Sequence, residues 1–211
     1  MKLISPDDPN LKRSLPKFDD EQLKDYDIKD RKELTDKMFE FMSKVGGIGL
    51  TANQVGMNLN VFTIGGHTSL ENGLKIACFN PIIVSESTEH IMMKEGCLSF
   101  PDIYLMIRRS KTIELKYQDA SGESHQIMLE GLGARCVQHE MDHLNGIIFL
   151  QRASRLKIER ALKARKKERK KRLDYEQRVA IAKHFQSLHA KNAESDVKGE
   201  VSGDNSVSQE S

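Results

Sequence analysis

The chain has 211 residues, 30% of them charged and 38% hydrophobic, with a formal net charge of +2, a length that suits one domain of about 150 residues with appendages. Three scattered cysteines, Cys78, Cys97 and Cys136, argue against a disulfide framework and for a reducing compartment. The start, Met1-Lys2-Leu3-Ile4-Ser5-Pro6, carries neither a signal-peptide apolar run nor an arginine-rich transit segment, and no apolar stretch approaches the about 20 residues that span a bilayer, so the reading is a cytoplasmic protein without a membrane partner.

In chain order, Pro6, Pro9 and Pro16 punctuate an extended N-terminal segment that wraps the domain, and Asp19 and Asp20 are placed to cap the next element. From about Ile28 to Val45, Leu34, Met38, Phe41, Met42 and Val45 recur at helical spacing, which predicts an amphipathic helix packed on a core. Gly46-Gly47 ends it. The stretch from Ile48 to Gly56 is dense in small residues that let a backbone pass close to a strand or a ligand, and Gln54 carries an amide able to donate to a developing oxyanion. Val61 to Ile64 and Ile76 to Val84 read as strands separated by a loop at Gly65-Gly66 and Glu71-Asn72-Gly73, with Asn80-Pro81 either interrupting the second run or placing it on an edge.

Cys97, in Glu95-Gly96-Cys97-Leu98-Ser99-Phe100-Pro101, is either a thiolate ligand or a small buried hydrophobe. Tyr104 to Ile107, Thr112 to Tyr117 and His125 to Leu129 look like three strands, the last two joined by the turn Asp119-Ala120-Ser121-Gly122, with His125 exposed in the hairpin. Gly131 to Val137 leads into a helix that ends near Asn145-Gly146, and Ile147 to Leu150 is expected to form a short terminal strand.

That helix holds Gln138-His139-Glu140-Met141-Asp142-His143. Residues i and i+4 lie on one helical face, so both imidazoles reach a single metal ion, while Glu140 sits beside it, where a carboxylate can take a proton from water and return it. The bland alternative is a polar helix with two unrelated histidines.

After residue 150 the character changes. Between Arg152 and Arg178 stand 13 Lys or Arg against four acids, a net of +9, with no proline or glycine: a long basic helix that continues toward residue 189 and is either a solvated surface or the footprint of a phosphate-rich partner. From 190 to 211 Ser, Asn, Gly, Asp and Glu dominate, the composition of an acidic, disordered tail.

Residues 47 to 54, 95 to 101 and 138 to 143 together resemble the three signature motifs of the peptide deformylases, in the same order and with similar separations. The second and third match residue for residue. The first departs from Gly-x-Gly-x-Ala-Ala-x-Gln at Thr51, which stands at the first alanine while Gly47, Gly49, Ala52 and Gln54 are kept; crowding is expected there, without loss of activity.

The resemblance covers roughly residues 1 to 150 and implies an α+β fold, antiparallel strands around a central metal-bearing helix, followed by the basic helix (151–189) and the tail (190–211). It implies a metallohydrolase that removes the formyl group from the N-terminal formylmethionine of nascent polypeptides. Cys97, His139 and His143 would hold one divalent ion, Fe²⁺ in the cell, with Zn²⁺, Ni²⁺ or Co²⁺ able to substitute. A fourth position is left for water, as a catalytic site requires.

Glu140 would move the proton, and the Gln54 amide and Leu98 backbone N–H would stabilise the formyl oxygen. Ile48, Leu132 and Cys136 would line the methionine pocket, with Gly49, Glu95 and Gly96 in the substrate-binding set and Arg108 holding peptide carbonyls. Glu95 and Gln138 would orient ligands. Arg135, at a pocket-wall position that the family generally gives to an aliphatic residue, must snorkel out or pair with an acid.

The basic helix, through Arg165, Lys166, Lys167, Arg169, Lys170, Lys171 and Arg172, would bind the ribosome or its RNA. One chain contains a complete set of motifs, so a monomer suffices. Two rivals stand beside this reading: a zinc endopeptidase, which would need a third ligand downstream of the helix, and a nucleic-acid-binding protein with a structural metal, which would need a fourth protein ligand.

Overall fold

The computed structural model describes residues 1–68, 70 and 73–200. Glu71 and Asn72 of the expected loop, and residues 201–211 of the expected tail, lie outside the described residues. The chain divides into two compact units, Met1–Ala161 and a second beginning at Leu162.

The proline-punctuated start is extended with two 3₁₀ turns. Asp8 caps Pro9–Lys12, and Asp19 caps Asp20–Tyr26, where Gln22 closes a reciprocal capping box. Leu11, Leu15, Phe18 and Leu23 are buried, so the segment is a wrapping strap with apolar anchors. Asn80 staples it: Oδ1 accepts from the Phe18 N–H at 2.6 Å and Nδ2 donates to the Phe18 carbonyl at 3.1 Å.

Helix α1, Arg31–Lys44, starts later than the apolar periodicity suggests because Asp30 supplies the cap, its carboxylate accepting from the Glu33 N–H at 2.8 Å. It buries Leu34, Met38 and Met42, and Gly46 at φ 69° takes the chain out of the helix.

Seven strands come next: β1 Gly49–Thr51, β2 Val61–Gly65, β3 Lys75–Glu86, β4 His90–Cys97, β5 Phe100–Ser110, β6 Thr112–Gln118 and β7 Ser124–Glu130. Five form an antiparallel sheet in the order β1-β2-β3-β6-β7, while β4 and β5 pair separately. Strand β3 is interior and not an edge. Pro81 is accommodated by a register shift between Phe79 and Ile82, with Asn80 in the left-handed region at φ 51°, which asparagine tolerates.

Strand β4 is not signalled by local pattern, since His90-Ile91-Met92-Met93-Lys94 carries few β-branched residues and its pairing with β5 decides its conformation. His125, expected to be exposed, is half-buried: its Nε2 lies 2.7 Å from Asp119 Oδ2 and its ring stacks on Tyr117.

Helix α2, Gly131–Leu144, runs through the middle. From Gly133 to Leu144 all but Met141 are buried, including Arg135, Gln138, His139, Glu140, Asp142 and His143. Buried polar groups require partners, so this helix is where the fold concentrates its polar pairing. Beyond it Ile147 to Leu150 does not form the expected strand. The Ile147 N–H bonds back to the Asp142 carbonyl at 2.8 Å, Phe149 packs on Phe100 and His139, and the chain turns through a 3₁₀ helix, Phe149–Arg152.

Helix α3, Arg155–Glu200, then begins. Ile158 and Ala161 pack against the Phe100–Phe149 cluster, so the first unit extends past Leu150 to Ala161. The helix also continues past residue 190, where composition placed the start of the tail.

Replacing Asn80 with Ala removes both bonds to Phe18 and puts a Cβ without a polar side chain into the left-handed region. We expect a loss of about 1–3 kcal/mol, read as a lower urea midpoint with an unchanged m-value.

Candidate metal centre

Three side chains from two elements converge. Cys97 ends β4, and His139 and His143 lie one turn apart on α2; one donor atom from each falls within 4.8 Å of the others, with Cys97 Sγ 3.2 Å from His143 Nε2. His139 Nδ1 lies 3.2 Å from Glu95 Oε2, which leaves its Nε2 for the centre. One thiolate sulfur and two imidazoles suit a late divalent ion. The electrostatics agree. Although burial works to lower it, His139 is raised to about 10 by its bonds to Cys97 and Glu95, the pull of anionic neighbours that a bound cation would satisfy. His143 falls to about 3, through burial and then the charges of His139 and Arg109.

Glu95 anchors the surroundings. Its two oxygens accept from Arg109 Nε and Nη2 at 2.8 and 2.9 Å, and its Oε1 also pairs with Arg135 Nη1. Burial opposes ionisation, yet the hydrogen bonds from His139 and Arg109 hold this carboxyl down at about 2. Arg109 continues to Asp142 at 2.9 Å, and Asp142 pairs with Arg152. Arg135 is therefore compensated by an acid at the pocket wall. It is 2% exposed, pairs with an acid, and also donates to the Ile107 and Ile91 carbonyls at 3.1 and 2.7 Å. Gln138 clips α2 to the end of β5, exchanging 3.1 and 2.9 Å bonds with the Ser110 backbone.

Glu140 is 4% exposed, and burial raises its proton affinity against the opposing pull of the His139 charge and the Thr51 hydroxyl. Thr51 Oγ1 donates to Glu140 Oε2 at 2.5 Å. The crowding expected at Thr51 is thus a hydrogen bond. On the other flank a Cβ on Gly49 would collide with Glu140 Oε1, so the carboxylate needs that glycine. Gln54 Oε1 accepts from the Thr51 N–H at 2.9 Å. This turns Nε2 toward Ser99 Oγ at 3.0 Å and Cys97 Sγ at 3.6 Å.

A cleft of about 580 Å³ opens beside this group. Ile48, Gly49, Gly96, Leu98, Leu132 and Cys136 line it, as do Gln54, Glu95 and Arg135, and burial pushes the Cys136 thiol up to about 12. Leu98 sits in the turn between β4 and β5. Arg108 is not among the lining residues: it lies on the exposed face of β5, and the buried guanidinium is the neighbouring Arg109. The signal was present in the alternation of Ile103, Leu105 and Ile107, whose inward phase continues to Arg109. Tyr104 and Lys94 also line the cleft, and no sequence motif marks them.

The family model described as Polypeptide deformylase matches residues 2–159. The chain belongs to that family. It is 40% identical over 190 residues to a peptide deformylase of Novosphingobium aromaticivorans, covering 80% of this chain and 96% of the relative. It is 44% identical over 145 residues to that of Zymomonas mobilis, covering 67% and 82%. Among solved structures, peptide deformylase from Ehrlichia chaffeensis superposes with a TM-score of 0.69 at 32% identity, over 82% of this chain and 98% of that one. Arabidopsis thaliana peptide deformylase 1B, in complex with an inhibitor, gives 0.66 at 34% over 83% and 93%.

Glu95→Ala removes a carboxylate shared by two buried guanidinium groups, leaving Arg135 with carbonyl partners alone. We expect a loss of about 3–5 kcal/mol in unfolding free energy and, through the released His139, metal affinity weaker by about 10- to 100-fold in a competition titration.

Proposed function

We propose that this chain hydrolyses the formyl amide at the N-terminal formylmethionine of newly made polypeptides, releasing formate and a free amine. The observation that carries the reading is the Cys97–His139–His143 donor set next to a cleft that Cys97, His139 and Glu140 line, with the Gln54 amide turned toward Cys97. Those three residues would hold one divalent ion, which supplies Lewis acidity that makes a water nucleophilic near neutral pH and draws charge from the formyl oxygen. Iron is the proposed ion in the cell, with zinc, nickel or cobalt able to substitute.

The residues of the chain do the rest. Glu140 accepts the proton that the water loses on attacking the formyl carbon and delivers it to the departing nitrogen as the C–N bond breaks. Its burial raises its proton affinity, the direction that accepting a proton requires. Gln54, held by its carbonyl end, offers an N–H to the oxygen that gains charge, joined by the Leu98 backbone N–H. Ile48, Leu132 and Cys136 give the methionine side chain an apolar wall, and Gly49 and Gly96 border the same cleft. Glu95 acts from behind, through His139.

All the functional side chains named lie in one chain, which supports a monomer. Among the described residues no helix is long and apolar enough to cross a membrane. We propose that the protein works in the cytoplasm, near emerging chains. We further propose that the basic stretch of α3, including Arg165, Lys166, Lys167, Arg169, Lys170, Lys171 and Arg172, binds ribosomal RNA, supported by its net charge of +9 between Arg152 and Arg178.

The test is formate release from formyl-Met-Ala-Ser under anaerobic conditions with Fe²⁺ or Ni²⁺. Glu140→Ala should lower kcat by about 10² or more with metal still bound, Gln54→Ala by about 10², and a chelator should abolish turnover. Truncation after Ala161, which spares the packing of Ile158 and Ala161, should remove salt-sensitive co-sedimentation with ribosomes and leave hydrolysis of the small peptide intact; retained co-sedimentation contradicts the RNA reading.

A further inference from the structure

We propose that Thr51 is a positioning residue for the hydrolytic step: it locks the Glu140 carboxylate and the Gln54 amide into one fixed arrangement. The proposal rests on the deformylation reading above. Its basis is that one residue grips both groups, by different atoms. The Thr51 hydroxyl donates to Glu140 Oε2 at 2.5 Å and lies 3.4 Å from the Glu140 carbonyl oxygen, while the Thr51 N–H donates to Gln54 Oε1 at 2.9 Å. Thr51 is fully buried and Glu140 nearly so, so water does not compete for either bond.

The confinement is two-sided. Gly49 and Thr51 lie two residues apart on β1, paired with Ile64 and Phe62 of β2, and so present the same face of the strand to α2. At Gly49 there is room for the carboxylate because there is no Cβ, and Oε1 occupies that space. At Thr51 a hydroxyl takes Oε2. A glutamate side chain has three torsions, and without these contacts its carboxylate would sample several rotamers. With them, one oxygen is engaged and the other is held at the glycine. The backbone bond to Gln54 then fixes the proton carrier and the oxyanion donor in a common frame, as a preorganised site requires.

Thr51 is also the one position at which the chain departs from the motif it resembles, where alanine would offer the backbone grip on Gln54 but no hydroxyl for Glu140. The hydroxyl is therefore an added restraint, and its removal should slow the reaction without abolishing it.

The experiment is a series at position 51 in the metal-loaded enzyme. Thr51→Val removes the hydroxyl at nearly constant volume, Thr51→Ala removes it with the branch, and Thr51→Ser keeps it. Formate release from formyl-Met-Ala-Ser should show kcat lower by about tenfold in the Val and Ala variants, with KM little changed, and restored in the Ser variant, since a hydrogen bond to a charged group is what is lost and regained.

A second readout does not depend on turnover. Urea midpoints of the zinc-loaded wild type, Thr51→Val, Glu140→Ala and the double variant should be non-additive, because the two side chains interact. Equal kcat across the Val, Ala and Ser variants, or an additive cycle, overturns the assignment. A wild type that releases no formate contradicts the deformylation reading and with it the catalytic purpose of Thr51. An active wild type with an indifferent series contradicts the Thr51 assignment alone.

Discussion

The arrangement of the site depends on one buried carboxylate. Glu95 is 7% exposed and accepts from two guanidinium groups while facing an imidazole, Arg109 from β5, Arg135 and His139 from α2. A lone ionised carboxylate at that depth would be prohibitively costly, and so would either arginine, so the groups are retained together or not at all. The consequence is geometric. The hairpin that carries Cys97 and the helix that carries both histidines belong to different parts of the fold, and the Glu95 cluster cross-links them at the level of the donor atoms. Asp142, next to His143, extends the link through Arg109 and on to Arg152.

A third element, β1, also reaches this centre. Its glycine makes room for Glu140, its threonine donates to that carboxylate, and the adjoining 3₁₀ turn presents Gln54. The division of labour reflects what each element does well. Helix α2 sets the spacing of His139 and His143, the β4–β5 turn exposes Cys97 and Leu98 at the cleft, and β1 supplies backbone that can pass close to reacting groups. His139 is raised to about 10 by Cys97 and Glu95, and His143 is lowered to about 3 chiefly by burial, so anionic groups face the first ring and desolvation dominates at the second.

Much of this was legible in the sequence, for local reasons. Helical spacing exposed α1 and the paired histidines of α2, β-branched or apolar runs exposed β2 and β3, strand character also showed in parts of β5, β6 and β7, and Asp119 to Gly122 announced a turn. What escaped was decided by tertiary contact. Strand β4 exists because β5 pairs with it, and Ile147 to Leu150 turns into a 3₁₀ helix because Phe149 is drawn onto Phe100 and His139. Arg108 and Arg109 are indistinguishable by type, and strand phase alone separates the exposed one from the buried one. The role of Thr51 depends on Glu140, 89 residues away in the chain, and no local pattern reports such a pairing.

The central claim is that Cys97, His139 and His143, held by the Glu95 cluster, form one metal site. The most direct measurement is X-ray absorption spectroscopy at the metal edge on anaerobically purified protein. One ion per chain with a first shell of one sulfur and two imidazole nitrogens, the sulfur lost in Cys97→Ala, is the predicted result. An ion with no sulfur neighbour, or a sulfur signal unaffected by that substitution, would contradict the account.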